Sequence, residues 1–330
     1  MFALILSVAA AVIPTIIYVL LFYWADRYER EPVWLAIVAF IWGAVPAVIV
    51  SLTGEFILGW PWLDAPDNIT TALIEGAVIA PIVEEVAKGV ALLLIFFFLQ
   101  REFDGVLDGI VYGALVGFGF AMTENFFYFV GAYDEGGFQQ LSVVIFLRAV
   151  LFGLNHAFYT GLTGIGFGLA RTFRSTAGKL SWISAGLLAA IVTHSLHNLG
   201  ASLATVDLTG LGLSLLVAMA GISLVFIAMM LAWQHERGCI RRELAEEVGV
   251  VLSSAEYAQL TERWHNPLRK RGKYARTQAY RMHLYVELAL RKCRLRHAHP
   301  REAMAMLHEV TQIRARLAAL QEADVAAGKR

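Results

Sequence analysis

The sequence predicts an all-α protein: a polytopic membrane helix bundle of about seven transmembrane helices, followed by a C-terminal soluble α-helical tail. Three observations carry this expectation. The 330-residue chain is 58% hydrophobic and only 16% charged. Its apolar residues fall in repeated runs near the ~20 residues needed to cross a bilayer. Its charges are split, with 8 Lys/Arg against 16 Asp/Glu in residues 1–233 and 19 against 11 in residues 234–330. The net charge of zero is thus the sum of an acidic, apolar body and a basic tail. A transmembrane core over 1–233 and a cytoplasmic basic helical tail over 234–330 are expected.

Seven apolar segments stand out in order, at about 2–24, 33–54, 72–99, 106–131, 142–170, 181–203 and 210–233. The first has no positive leading region and no small-residue cleavage site before Asp26, so a spanning helix is expected there rather than a signal peptide. Loops after the odd-numbered segments hold Arg27 and Arg30; Arg101; Arg171, Arg174 and Lys179; then Arg237, Arg241 and Arg242. Loops after the even-numbered ones hold only acids, among them Asp64, Asp67, Asp134, Glu135 and Asp207. The positive-inside rule then predicts a multi-pass protein of the cell membrane, with the N-terminus outside and the tail in the cytoplasm. Glycines crowd the fourth and fifth segments (Gly113, Gly117 and Gly119; Gly161, Gly164, Gly166 and Gly168), where small residues let membrane helices approach closely.

After Trp233 the character changes. Ser253 or Ser254 is a candidate N-cap for a helix over Ala255–Trp264, and Asn266-Pro267 opens a longer basic helix to about His297. Pro300 starts another to about Ala327, with Leu307, Val310, Ile313, Leu317 and Leu320 at helical spacing. The basic piece Arg269–Lys273 suits either anionic lipid headgroups or a solvated face. No nucleic-acid module accompanies the charge, so no nucleic-acid partner is expected. The two cysteines, Cys239 and Cys293, both lie in this tail and suggest neither a disulfide framework nor a zinc ribbon. Lying outside the spans, they also exclude a cysteine nucleophile buried in the membrane.

The chemistry-bearing residues are the few polar groups inside apolar runs. A charge near the bilayer centre costs at least ~2.5–3.5 kcal/mol on insertion scales, so each needs a partner, a wet cavity or a role. The third segment carries Pro81-Ile82-Val83-Glu84-Glu85-Val86-Ala87-Lys88, where Lys88 is i+4 from Glu84 and i+3 from Glu85 and can neutralise one of them. The fourth carries Thr123-Glu124-Asn125. The fifth carries Arg148, which neutralises an acid, then Asn155-His156 and Tyr159-Thr160. The sixth carries Thr193-His194-Ser195-Leu196-His197-Asn198. Counted from the basic edges, Glu84, Glu124, His156 and His194 lie at a similar depth, ~22–30 Å of helical rise. The set suits hydrolysis: a carboxylate as base toward water, a second carboxylate or imidazole as acid, and His/Asn donors for an oxyanion. Glu84, Glu124, His156 and His194 could instead ligate a divalent metal such as zinc. The same carboxylates also suit a non-enzymatic proton-linked transporter or an immunity-type binder.

Taken in order, these motifs resemble the PrsW-type intramembrane proteases over roughly residues 20–200. The resemblance rests on Asp26-Arg27-Tyr28-Glu29-Arg30-Glu31-Pro32, the Glu-Glu-x-x-Lys of Glu84–Lys88, and Asp108-Gly109-Ile110-Val111-Tyr112-Gly113. It continues through Phe120-x-x-x-Glu124, His156 followed by Thr160 and Gly164, and His194-x-x-x-Asn198, where Asn198 stands in a position that takes Asp or Asn. It implies relatives among the CAAX prenyl proteases and bacteriocin-immunity proteins, and an all-helical core with a glutamate-centred site. By this resemblance Glu84 and Glu85 supply the base, Glu124 and His156 line the site, and His194 with Asn198 holds the oxyanion. Lys88, Asn125, Arg148 and His197 support them. The implied substrates are membrane-anchored proteins, such as anti-sigma-factor-like regulators. Both a metal-bound and a metal-free glutamate mechanism are compatible with the resemblance, and neither Glu84 nor Glu85 is preferred as the base.

Overall fold

The structure, a computed structural model, describes residues 1–25, 30–62, 69–261, 273–297 and 300–326. Among these the chain is helical throughout apart from turns and one isolated bridge between Val248 and Leu252. It divides into two compact units, one running to Met230 and one from Leu231 onward. The expected Asn266-Pro267 helix start, the Asp26–Glu29 part of the first motif and the Arg269–Lys273 patch lie outside the residues whose side chains are described.

The first unit holds α1 (Phe2–Ala25), α2 (Val33–Trp42), α3 (Val48–Gly59), α4 (Ile69–Ile74), α5 (Ala80–Phe98), α6 (Val106–Ile145), α7 (Asn155–Ala170), α8 (Thr176–Leu203) and the first part of α9 (Thr209–Ala245). Among the described residues, five stretches are long and apolar enough to cross a membrane: Phe2–Trp24, Val33–Gly59, Val106–Ala170, Thr176–Leu203 and Thr209–Ala245. The chain is therefore a multi-pass membrane protein. The 65-residue stretch Val106–Ala170 does not run straight. Gly136 (φ −142°) and Gly137 (φ 65°) break the helix, the second in a conformation that favours glycine. The part of α6 before the break packs against α7, which follows it in the chain. Seven crossings require this stretch to cross twice and residues 69–98 to cross despite their charges.

Among the described residues, three π-helical turns interrupt the helices of the first unit, at Gly43–Ala47, Glu75–Ile79 and Phe146–Leu151. The first contains Pro46 and the second lies just before Pro81; a proline withholds the N–H that would close the ladder one turn back. Widened turns of this kind leave carbonyls free for side chains. Ala44 O accepts from Thr123 Oγ1 at 2.7 Å, and Gly76 O accepts from Asn198 Nδ2 at 2.8 Å.

A column of glycines brings α6 against α7. A Cβ at Gly109 would lie 2.1 Å from Gly164 O, one at Gly113 2.5 Å from Thr160 O, and one at Gly117 2.3 Å from His156 O. Positions 109, 113 and 117 repeat every four residues, so they form one stripe along which the α7 backbone lies. Gly119 does the same for α2, where a Cβ would meet Phe40 O at 2.0 Å. Close backbone approach on both faces of α6 sets where His156 and the α2–α3 segment stand.

The second unit comprises the end of α9, α10 (Ser254–Thr261), α11 (Lys273–His297) and α12 (Pro300–Ala326). Ser253 and Glu256 form a reciprocal capping box before α10: Glu256 N–H donates to Ser253 Oγ and Ser253 N–H to Glu256 Oε2. Ile240, Leu244, Leu288, Ile313 and Leu317 share its core, whereas Leu307 is 46% exposed despite its helical register. Beside this core the buried Glu247 accepts from Lys292 at 2.7 Å and Arg314 at 2.5 Å.

Two outcomes follow. Gly117→Ala should lower the unfolding free energy in detergent by about 1–3 kcal/mol through overpacking, whereas Gly131→Ala, with nothing within 4 Å of the new carbon, should leave it unchanged or slightly raised. In the tail, burial works to raise the Glu247 carboxyl, but hydrogen bonds from Arg314 and Lys292 outweigh it and hold it below the usual range. Such a group contributes stability that is present above its unfolded value of ~4.3 and lost as pH falls through the lower folded value. The urea midpoint of the tail's transition should therefore drop on acidification below about pH 4.5, and Glu247→Gln should flatten that dependence.

Candidate active site

The buried site forms where α5, α6, α7 and α8 meet. Glu84, Glu85 and Lys88 share one face of α5, and all three side chains are nearly or wholly inaccessible. Lys88 Nζ donates to Glu84 Oε2 at 3.0 Å and to Glu85 Oε1 at 2.7 Å, and it faces His156 Nδ1 at 3.1 Å. It also stands 3.9 Å from the Phe120 ring centroid. An ammonium with these partners satisfies its three donors, which is what permits a lysine to be fully buried.

The histidine protonation pattern follows from these contacts. Lys88 Nζ only donates, so His156 Nδ1 accepts and the imidazole proton sits on Nε2. That nitrogen faces Glu124 Oε2 at 2.8 Å. Glu124 in turn accepts from Arg148 at 2.6 Å, and Arg148 Nε donates to Asn125 Oδ1 at 2.8 Å. Arg148 also stacks 3.7 Å over the Tyr128 ring. On the other side His194 Nδ1 lies 3.0 Å from Glu85 Oε1. Glu85 accepts there, so Nδ1 donates, and neutral His194 carries its lone pair on Nε2. The His194 ring stacks on Tyr159, with centroids 4.4 Å apart and 12° between planes.

The two adjacent glutamates are not equivalent. Both Glu85 oxygens are engaged, Oε1 by Lys88 and His194 and Oε2 by Thr160 Oγ1 at 3.4 Å. Glu84 is bonded through Oε2 alone, and its Oε1 has no hydrogen-bond partner among the described residues. Exposure falls along the same line: the Arg148 side chain is 26% exposed, Glu124 20%, Glu84 7% and Glu85 0%. Within the protein the cluster is therefore open at the Glu124–Arg148 end.

One ligand atom each from Glu84, Glu85, His156 and His194 lies within 4.8 Å of all the others. Two carboxylates and two imidazoles suit a divalent cation such as zinc by donor type. This set contains Glu85 where the sequence reading had Glu124, which contacts His156 from outside. The Lys88 ammonium stands among three of these four donors, so a metal ion held by them requires Lys88 to let go.

Two expected residues stand beside the cluster rather than in it. Asn198 spends its amide on Gly76 O, tying α8 to the π turn before α5. His197 lies 3.2 Å from Asn155 Nδ2 and 3.4 Å from Ser214 O, where it joins α7, α8 and α9. Two features escaped sequence reasoning. Glu55 on α3 lies in electrostatic reach of Glu124 and Lys88; ending the second apolar segment at residue 54 placed it outside, although an acid within an apolar run is the same signal that marked Glu84. The chain also leaves helical geometry at Phe152–Leu154, so that His156 sits in the first turn of α7, where helix N–H groups lack intrahelical partners. Gly153 before Asn155 was the available hint. Nearby, Tyr159 Oη and Asn155 Oδ1 are buried without a hydrogen-bond partner among the described residues, and a buried orphan of this kind costs about 1–3 kcal/mol unless water or a ligand meets it.

Comparison with known proteins identifies the family. The family described as PrsW family intramembrane metalloprotease matches residues 31–232. Protease PrsW of Bacillus subtilis (strain 168) is 29% identical over 198 residues, covering 60% of this chain and 82% of that protein. Protease PrsW of Geobacillus kaustophilus (strain HTA426) is 30% identical over 166 residues, 50% of this chain and 66% of that one. That of Oceanobacillus iheyensis is 28% identical over 195 residues, 58% and 80% of the two chains. No solved structure matches. An enzyme is thereby preferred over the transporter or binder that the carboxylates alone allowed. Because the family match spans more than half of the chain and includes every residue of the buried cluster, the chain belongs to the PrsW family of intramembrane proteases.

Proposed function

We propose that this protease hydrolyses a peptide bond of a membrane-anchored protein with Glu84 as the general base. The supporting observation is the inequality of the two glutamates: Glu84 keeps one oxygen uncommitted and lies toward the open end, while Glu85 is fully bonded. Glu84 takes a proton from water as the water oxygen attacks the carbonyl carbon, and returns it to the leaving nitrogen as the C–N bond breaks. Lys88 and Arg148 are the fixed cations nearest to the developing oxyanion. Glu85 orients His194 and anchors Lys88, and Glu124 does the same for His156. With the basic loops inside, the N-terminus is outside, the tail is cytoplasmic, and the site opens toward the outer half of the bilayer. The substrate class this favours is a single-span protein cut near that face, of which an anti-sigma-like regulator is one example.

A second reading is favoured by the proximity of Glu84, Glu85, His156 and His194 and by the family's description as metalloprotease. A bound divalent ion would lower the pKa of a water molecule and polarise the scissile carbonyl. The chain's own residues would then hold the ion through those four donors, and Lys88 would be the group that has to move.

With a single-span substrate and purified protein, Glu84→Gln should reduce cleavage at least ~100-fold, and because Glu85 still neutralises Lys88 it should cost less stability than the change at Glu85. Glu85→Gln should lower both, since Lys88, His194 and Thr160 all lose the ionised acceptor; the expected loss of stability is about 3–5 kcal/mol. Full activity in Glu84→Gln would refute the assignment. Treatment with chelator separates the two readings: activity is expected to persist, and its loss with restoration by one metal would establish the metal-bound mechanism.

A further inference from the structure

The chain's two cysteines are 54 positions apart, yet the tail brings them together as a Cys239–Cys293 disulfide with Cα atoms 5.7 Å apart. That separation lies inside the range a disulfide spans without backbone movement. Cys239 is on α9 and Cys293 on α11, and both belong to the tail's own hydrophobic core, where each residue is only 4% exposed.

Two neighbours suit thiol chemistry rather than packing. Arg242 donates to Cys293 Sγ at 3.2 Å, and its side chain is 54% exposed. A fixed cation there favours the thiolate, the reactive form of cysteine. His235, one helical turn before Cys239 and exposed, places Nε2 3.7 Å from Cys239 Sγ, where an imidazole can take the second thiol's proton. Arg242 and His235 thus put a charge and a base at the solvent edge of an otherwise apolar pair.

We propose that Cys239 and Cys293 are an oxidation site, a thiol pair that exchanges reversibly with low-molecular-weight disulfides to join α9 and α11 covalently. The Cys293 thiolate attacks one sulfur of the small disulfide and releases one small thiol, leaving a mixed disulfide on Cys293. Cys239 gives its proton to His235 and attacks the Cys293 sulfur, releasing the second small thiol. The pair loses two electrons, and the small disulfide is reduced to two thiols. In the cytoplasm, where the basic loops predict the tail to lie, the resting thiol pool keeps such a pair open, and a rise in small disulfides closes it.

The test uses the full chain in intact cells. Cells are acid-quenched before and after a pulse of membrane-permeant dipyridyl disulfide, and thiols are counted with a mass-tagged maleimide. Two tags per chain before the pulse, none after it, and two again after reductant are expected. Arg242→Gln, a substitution at an exposed side chain, should slow closure roughly threefold or more by lowering the thiolate fraction. Two tags throughout would overturn the proposal, as would none at the start, which would indicate a permanent structural disulfide. One zinc ion retained per reduced chain and lost in Cys239→Ser would overturn it in favour of a His-Cys-Cys metal centre.

Discussion

A fully buried ammonium, that of Lys88, governs the rest of the spanning unit. Its side chain has no exposure, and its partners are two carboxylates and an imidazole nitrogen at 2.7–3.1 Å. Stripping such a charge of water costs several kcal/mol, and only a complete set of acceptors offsets it. Two of the three acceptors are themselves held: Glu85 by His194 and Thr160, and His156 by Glu124, which is in turn held by Arg148. Four helices are thus bound into one electrostatic unit in which, among the described residues, Oε1 of Glu84 and Oε1 of Glu124 keep no hydrogen-bond partner.

That network depends on backbone proximity, which the glycine column of α6 provides. A side chain at Gly117 would collide with the carbonyl of His156 itself. The same glycines that let α6 and α7 touch therefore set the distance from His156 to Lys88. Packing and chemistry share the same residues, so a substitution made for stability at this interface also moves the site. The π turns contribute in a complementary way, since their freed carbonyls at Ala44 and Gly76 receive Thr123 and Asn198 and pin the surrounding helices.

The tail is held by different means. Its core is made of ordinary aliphatic residues, and its charges are paired at the edge of that core, with Glu247 between Lys292 and Arg314. The sulfur atoms of Cys239 and Cys293 join the same layer. Buried carboxylates occur in both units; in the tail Glu247 meets two fixed cations and serves stability, whereas in the spanning unit Glu84 and Glu85 gather around one lysine.

Much was legible before any coordinates. Apolar runs gave the helices because a bilayer-length segment has few alternatives, and the expense of Glu84, Glu85, Lys88, Glu124, His156 and His194 within those runs marked them as a group. The i+3 and i+4 spacing of Lys88 from the two glutamates already fixed their mutual contact. Other facts depend on contacts between residues far apart in the chain, which spacing alone does not encode. Only the folded structure separates Glu84 from Glu85, because the partners that occupy Glu85 come from α7 and α8. Only the folded structure sends Asn198 to Gly76 and brings Cys239 to Cys293 across 54 positions. Apolar runs dictated which groups had to be compensated inside the membrane; contacts between distant helices assign the partner that compensates each, and so distinguish Glu84 from Glu85.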